Sequence, residues 1–229
     1  MFVPIHDQNG LKFIRHAYVN NLLIITNIVI WLLARRQTEV EQNILQTAFG
    51  FIPATIFAGA HLDPAIAVVP SWMTFLTYSL FHINFMHIAS NLLFLWVFGD
   101  NVEDDMGHGR YLFFYLACAA FGAFTHGLTD PASQAPLIGA SGAISGVLGA
   151  YVIMHPRVRV WALVLFGIPL PLPAVVPLAL WMGEQFYMLA TDAGGGVSWG
   201  AHAGGIVAGV LLVIFLKRPQ LKLFDRATS

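Results

Sequence analysis

Six apolar runs, each near the length a helix needs to cross a bilayer, constrain this chain more than any other feature. They are Tyr18–Ala34, Leu76–Phe98, Tyr111–His126, Ile138–Met154, Leu172–Ala190 and Ala201–Leu216. A transmembrane helix takes about 20 mostly apolar residues. Only 10% of the 229 residues are charged and 57% are hydrophobic, whereas a soluble domain carries about 25% charged residues. A soluble core of this size could not hide so much apolar surface. The expected fold class is therefore an all-α membrane protein, a bundle of six transmembrane helices.

The loops set the expected orientation. With six spans both termini lie on one side, together with Lys12, Arg15, Arg110, Arg157, Arg159, Lys217, Arg218, Lys222 and Arg226; only Arg35 and Arg36 lie opposite. The positive-inside rule then predicts cytoplasmic termini; the expected location of this integral, multi-pass protein is a prokaryotic inner membrane. Val158–Leu170 is also apolar, but Gly167, Pro169 and Pro171 interrupt it. A seventh span would move Lys217 to Arg226 across the membrane, so this stretch reads as a connector on the membrane surface. Gln37–Trp72 is a long first loop whose apolar patches predict an amphipathic element on the bilayer face. No internal repeat or soluble domain is evident, which predicts one domain over 1–229 with its core at about 72–216. The N-terminus lacks a signal peptide's apolar core and cleavage site, so the first span is expected to persist. The net charge of -1 argues against a nucleic-acid partner, which calls for a basic surface. Cys118, the single cysteine, sits among apolar neighbours, unlike a reactive thiolate.

Polar side chains inside apolar spans are costly, face the bundle interior and mark function. Span two carries His82, His87 and Asn91. Span four opens with Gly139-Ala140-Ser141-Gly142, span five carries Glu184 and Gln185, and span six opens around His202. Spans two, four and six run in the same direction. Ser141 lies 13 residues before Met154 and His202 lies 14 before Leu216, so both stand about 20 Å above the inner boundary. His87 and Asn91 fall in the same broad layer and share a helix face, being four apart. Both can donate hydrogen bonds to a developing oxyanion. Ser141 is at a helix start, where free N–H groups and the dipole favour an anion. Gly142, Gly146 and Ala150 form one small stripe and Ala201, Gly205 and Gly209 another; such stripes let membrane helices approach closely.

Each feature also has a plainer meaning. A Gly-x-Ser-Gly in an apolar helix serves packing, an intramembrane histidine serves packing or a proton relay, and His87 with Asn91 suits an interhelical clamp. A metal pair there lacks a clear third ligand, and no cofactor is expected. Glu184 and Gln185 are compatible with simply facing the outer loop, and His82 with the outer interface.

Together these residues resemble the rhomboid family of intramembrane serine proteases. The resemblance runs through His82-Ile-Asn-Phe-Met-His87-Ile-Ala-Ser-Asn91, Phe98-Gly-Asp-Asn-Val-Glu103-Asp-Asp-Met-Gly107, Gly139-Ala-Ser-Gly-Ala-Ile-Ser-Gly-Val-Leu-Gly-Ala-Tyr151 and Trp199-Gly-Ala-His202-Ala-Gly-Gly205-Ile-Val-Ala-Gly209, covering about Trp72 to Leu216. It implies a rhomboid-like six-helix bundle and a Ser141–His202 dyad without aspartate. His87 and Asn91 would join the Ser141 backbone N–H in holding the oxyanion. A cavity would open to the outside, and span five with its following loop would control substrate access. Substrates would be transmembrane proteins in the bilayer. Two positions depart from the family: Met73-Thr74 stands where some members carry Trp-Arg, and Ser145 where some carry an aromatic residue that packs on the histidine. Ser145 shares a face with Ser141 and must be excluded as a second hydroxyl.

The expected activity is acyl transfer, with Ser141 as nucleophile and His202 as general base and then acid. Without a third group to fix the imidazole tautomer, a slow enzyme is expected. The rival readings are a catalytically silent helix-binding relative and a small proton-coupled transporter using His87, His202 and Glu184. Trp181 and Phe186 on span five, with the glycine-rich Asp192–Val197 loop, are the expected gate.

Overall fold

The computed structural model describes residues 2–164, 167–191 and 196–224. The chain is mostly helical. In order come β1 (Val3–Asp7), α1 (Tyr18–Ala34), α2 (Glu39–Phe49), α3 (Pro53–Phe57), α4 (Thr74–Thr77), α5 (Phe85–Met106), α6 (His108–Thr129), α7 (Ser141–Met154), β2 (Arg159–Val164), β3 (Ile168–Pro173), α8 (Val175–Ala190) and α9 (Trp199–Leu216). Among the described residues, α6 and α9 are each long and apolar enough to cross a membrane. A third span results if Ser71–Leu80 and α5, which meet at 86°, are taken together; α1 and α7 are apolar but shorter.

Helix boundaries follow local chemistry. The expected second span begins later than its hydropathy suggests, because Phe81 is extended and the Asn84 side chain caps α5 by accepting the His87 N–H at 2.9 Å. An N-cap side chain satisfies a helix-start donor and thereby fixes where the helix begins. In the first loop, Thr38 and Glu41 form a capping box for α2, whose alternating polar and apolar faces match the amphipathic element expected there.

One expectation is corrected. The chain is not all-α: Val158–Leu170, expected as a connector and not a seventh span, forms no helix among its described residues, and most of it makes up β2 and the start of β3, an antiparallel pair. β1, from the extreme N-terminus, adds to β2, giving the order β1-β2-β3. Prolines and alternating apolar residues are compatible with an edge strand as well as with a coil, and only long-range pairing selects the strand.

The core lies where α9 packs on α6 and α7. The two small stripes face each other there. A Cβ at Gly205 would come 1.9 Å from the Gly142 carbonyl oxygen, and one at Gly209 2.0 Å from that of Gly146. Any larger residue would push α9 off α7.

Three consecutive buried carboxylates at the end of α5 fasten the N-terminal side. Asp104 accepts the backbone N–H groups of Lys12, Phe13 and Ile14 at 2.7–2.8 Å. Glu103 accepts those of Val19 and Asn20 at 3.0 and 2.7 Å, placing an anion at the start of α1 as the helix dipole favours. It also meets the His108 ring. Asp105 meets His155 Nε2 at 2.7 Å. The apolar core thus sets the positions of α7 and α9, and this polar hub ties α5 to the chain ends.

Candidate active site

The first turn of α7 carries Ser141, and the first turn of α9 carries His202. The close stripe contact brings these turns together, and Ser141 Oγ stands 2.8 Å from His202 Nε2. Behind the ring, His202 Nδ1 is 2.7 Å from Gln185 Oε1 on α8. The Gln185 amide has only one orientation that serves both its contacts. Its Nε2 donates to the Trp181 carbonyl at 3.0 Å, which leaves Oε1 to accept from Nδ1–H. The Nε2 lone pair then faces the Ser141 hydroxyl, the arrangement a general base requires.

His87 and Asn91 stand one turn apart on α5 and line the same cavity as Ser141, His202 and Gln185, a space of about 430 Å³. Gly139 adopts φ 121°, and a Cβ there would sit 2.6 Å from the His87 ring. Glycine is needed both for the backbone angle and for this approach. Asn91 Nδ2 is buried and has no partner among the described residues. A buried amide donor without an acceptor is costly, and the residue that carries it lines the same cavity as the serine. The Ser141 N–H begins α7 and has no intrahelical acceptor.

Other candidates are placed differently. Ser145 is fully buried beside Gly205 of α9, and its hydroxyl donates to the Ser141 carbonyl at 2.6 Å. His82 is buried: its Nε2 accepts the Ala140 N–H at 3.5 Å and its ring packs on His87, holding the loop before α7. The aromatic support that position 145 lacks comes from elsewhere, since Trp181 and Trp199 rings lie 6.0 and 6.3 Å from the His202 ring. Trp181 also contacts Phe94, at 6.3 Å, so it is part of the cavity wall; Phe186 is exposed on α8. Glu184 lines the cavity. Met73 and Thr74 belong to the short helical turns before α5, with the Thr74 hydroxyl bound to the Ser71 carbonyl. Of the glycine-rich loop expected to belong to the gate, residues 192–195 lie outside the described residues. No group of three metal-ligating side chains occurs among the described residues.

Gln185 was not assigned a role from sequence. The available signal was a polar residue inside an apolar span, but Glu184 beside it gave the same signal, and only the rotation of α8 distinguishes them.

The sequence matches the Rhomboid domain over residues 69–219. It is 30% identical over 172 residues to the rhomboid protease GluP of Bacillus subtilis, covering 75% of this chain and 31% of that protein. It is 30% identical over 154 residues to mitochondrial Rhomboid protein 1 of Saccharomyces cerevisiae, with 63% and 42% covered. The mitochondrial presenilin-associated rhomboid-like protein of Homo sapiens is 27% identical over 162 residues, with 67% and 40% covered. The chain spans less than half the length of these relatives.

Proposed function

The chain belongs to the rhomboid family, and on that premise we propose that it is an intramembrane serine endopeptidase cutting transmembrane segments of other membrane proteins. The observation that carries this reading is the aligned row Ser141 Oγ, His202 Nε2, His202 Nδ1 and Gln185 Oε1 at one wall of the cavity. His202 takes the Ser141 proton as Oγ attacks the peptide carbonyl. The Ser141 N–H, Asn91 Nδ2 and the His87 ring hold the oxyanion, a contribution of about 3 kcal/mol per donor in comparable enzymes. His202 then gives its proton to the leaving amine, and water releases the acyl group. Gln185 is a positioning residue: it keeps the imidazole in the reactive tautomer without adding a charge. A scissile segment must unwind to offer its carbonyl, because helical carbonyls are already bonded.

In this reading the chain is one membrane domain. Helices α1, α5, α6, α7, α8 and α9 are the six spans, both termini lie on the cytoplasmic side, and substrates pass between α5 and α8. Cleavage of a panel of single-span proteins in reconstituted vesicles tests it. Ser141→Ala and His202→Ala are expected to abolish product while remaining folded. Full activity in either variant overturns the dyad. Wild-type protein that binds the panel without cutting any member would favour the silent relative.

A further inference from the structure

β1 lies against α5, and β3 runs through Ala174 directly into the start of α8, with β2 between the two strands. The sheet therefore bridges the two helices whose separation admits substrate in the reading above, on which this inference rests. Its level along the bundle follows from two contacts. Asp7 accepts the Asn101 side-chain N–H at 3.0 Å, and the Phe2 ring meets that of Phe94 at 5.5 Å. Asn101 and Phe94 are seven residues apart on α5, about 10 Å along its axis. β1 thus runs beside α5 from its polar end toward the cavity, and Phe2 supports Phe94, a residue of the cavity floor. Paired to β1 through Asp7↔Val160 and Val3↔Leu163, β2 makes the same climb.

The two faces of the sheet differ in their neighbours. Pro4, Val160 and Ala162 are buried against the helices, whereas Val3, Ile5 and Trp161 are exposed, together with His6 opposite Trp161 and Arg159 at the polar end. The outer edge is unusual as well. Pro169, Pro171 and Pro173 oppose Leu163, Trp161 and Arg159. Prolines cannot donate to the ladder, so the donors come from Ile168, Leu170 and Leu172, and the free edge shows no N–H at the proline positions. Unpaired backbone groups keep open sheet edges out of hydrocarbon; here half of them are absent, and only carbonyls remain.

We propose that the β1-β2-β3 sheet is a re-entrant element of the leaflet on the side of the termini. Its exposed face meets lipid acyl chains, Arg159 meets the headgroups, and the sheet closes the lower part of the opening between α5 and α8. A transmembrane substrate then reaches Ser141 only through the upper part, and its lower half stays outside, beside the sheet.

Nitroxide labels at Arg159→Cys, Trp161→Cys and Leu163→Cys in lipid nanodiscs test this; the native Cys118 is buried. Each two-residue step is about 7 Å of strand. The ratio of collisions with oxygen to collisions with a water-soluble nickel chelate is expected to rise at each step, reaching at Leu163 the range of lipid-facing controls Leu211→Cys and Phe215→Cys on α9. Water-like ratios at all three strand positions, with lipid-like controls, overturn the proposal but leave the spanning reading intact. Water-like controls overturn the spanning reading itself. An unlabelled measurement covers the case where a label unfolds the sheet. The fluorescence lost on Trp161→Phe is expected to be quenched by lipids brominated on the acyl chain; quenching by aqueous acrylamide alone contradicts re-entry.

Discussion

Replacing Gln185 by leucine removes the acceptor for His202 Nδ1–H while keeping a side chain of similar size. Gln185 is buried and its contact to the ring is 2.7 Å. Losing one partner of a buried hydrogen bond costs about 1–3 kcal/mol, which corresponds to roughly 5- to 160-fold in rate. The loss should stay below the ~10⁴-fold seen when a triad aspartate becomes asparagine, because that amide enforces the wrong tautomer and leucine enforces none. The assay is cleavage of a single-span substrate in vesicles across pH, with kcat and KM separated. Gln185→Leu is expected to lower kcat and leave KM near wild type. Gln185→Glu restores an acceptor, should recover most of kcat, and should move the acid limb of the profile to higher pH, since a carboxylate favours the protonated ring. Wild-type kcat in Gln185→Leu, with an unchanged profile, refutes the positioning role.

Other outcomes follow from the same geometry. His87→Ala and Asn91→Ala should each reduce kcat by about 10²-fold with little change in KM; steady-state kinetics showing a change in KM alone would make them substrate contacts. Phe186→Ala, at an exposed position of α8, should speed cleavage of a transmembrane substrate without altering Ser141 labelling by a small water-borne inhibitor, and slower cleavage would remove it from the gate. Burial lifts the Asp7 carboxyl to about 6, offset in part by the Tyr151 hydroxyl it accepts. A raised carboxyl favours the folded state while protonated, so its stabilisation is full below about pH 4 and is lost as pH rises through 6. The swing is at most on the order of 3 kcal/mol. Asp7→Asn should therefore gain thermal stability at pH 7.5 and flatten the difference between pH 5 and 7.5; a loss at both values contradicts this.

Much of the helical layout was legible because hydropathy and span length are local. Tyr18–Ala34 has the same limits in the sequence and in the structure. The approach of α7 to α9 was legible because small residues at spacing four have few other uses in a membrane helix. The sheet was not, because β1 and β2 are joined only by pairing across most of the chain, and an apolar run with prolines has no period that selects a strand. The acidic residues of Phe98–Gly107 stood out as a motif, but their work, accepting N–H groups from Lys12 to Asn20, depends on where the N-terminal segment docks. The break in the second apolar run was not legible either, because the extended Phe81 and the Asn84 cap set it, not hydropathy.

The activation of Ser141 by His202 is tested most directly by covalent labelling. The protein in vesicles is treated with a fluorophosphonate and the modified peptide is located by mass spectrometry. A single adduct on Ser141 is expected in the native chain and in Ser145→Ala, with labelling lost in His202→Ala and Ser141→Ala. An adduct on Ser145, or labelling of Ser141 that proceeds equally well without His202, would contradict the account.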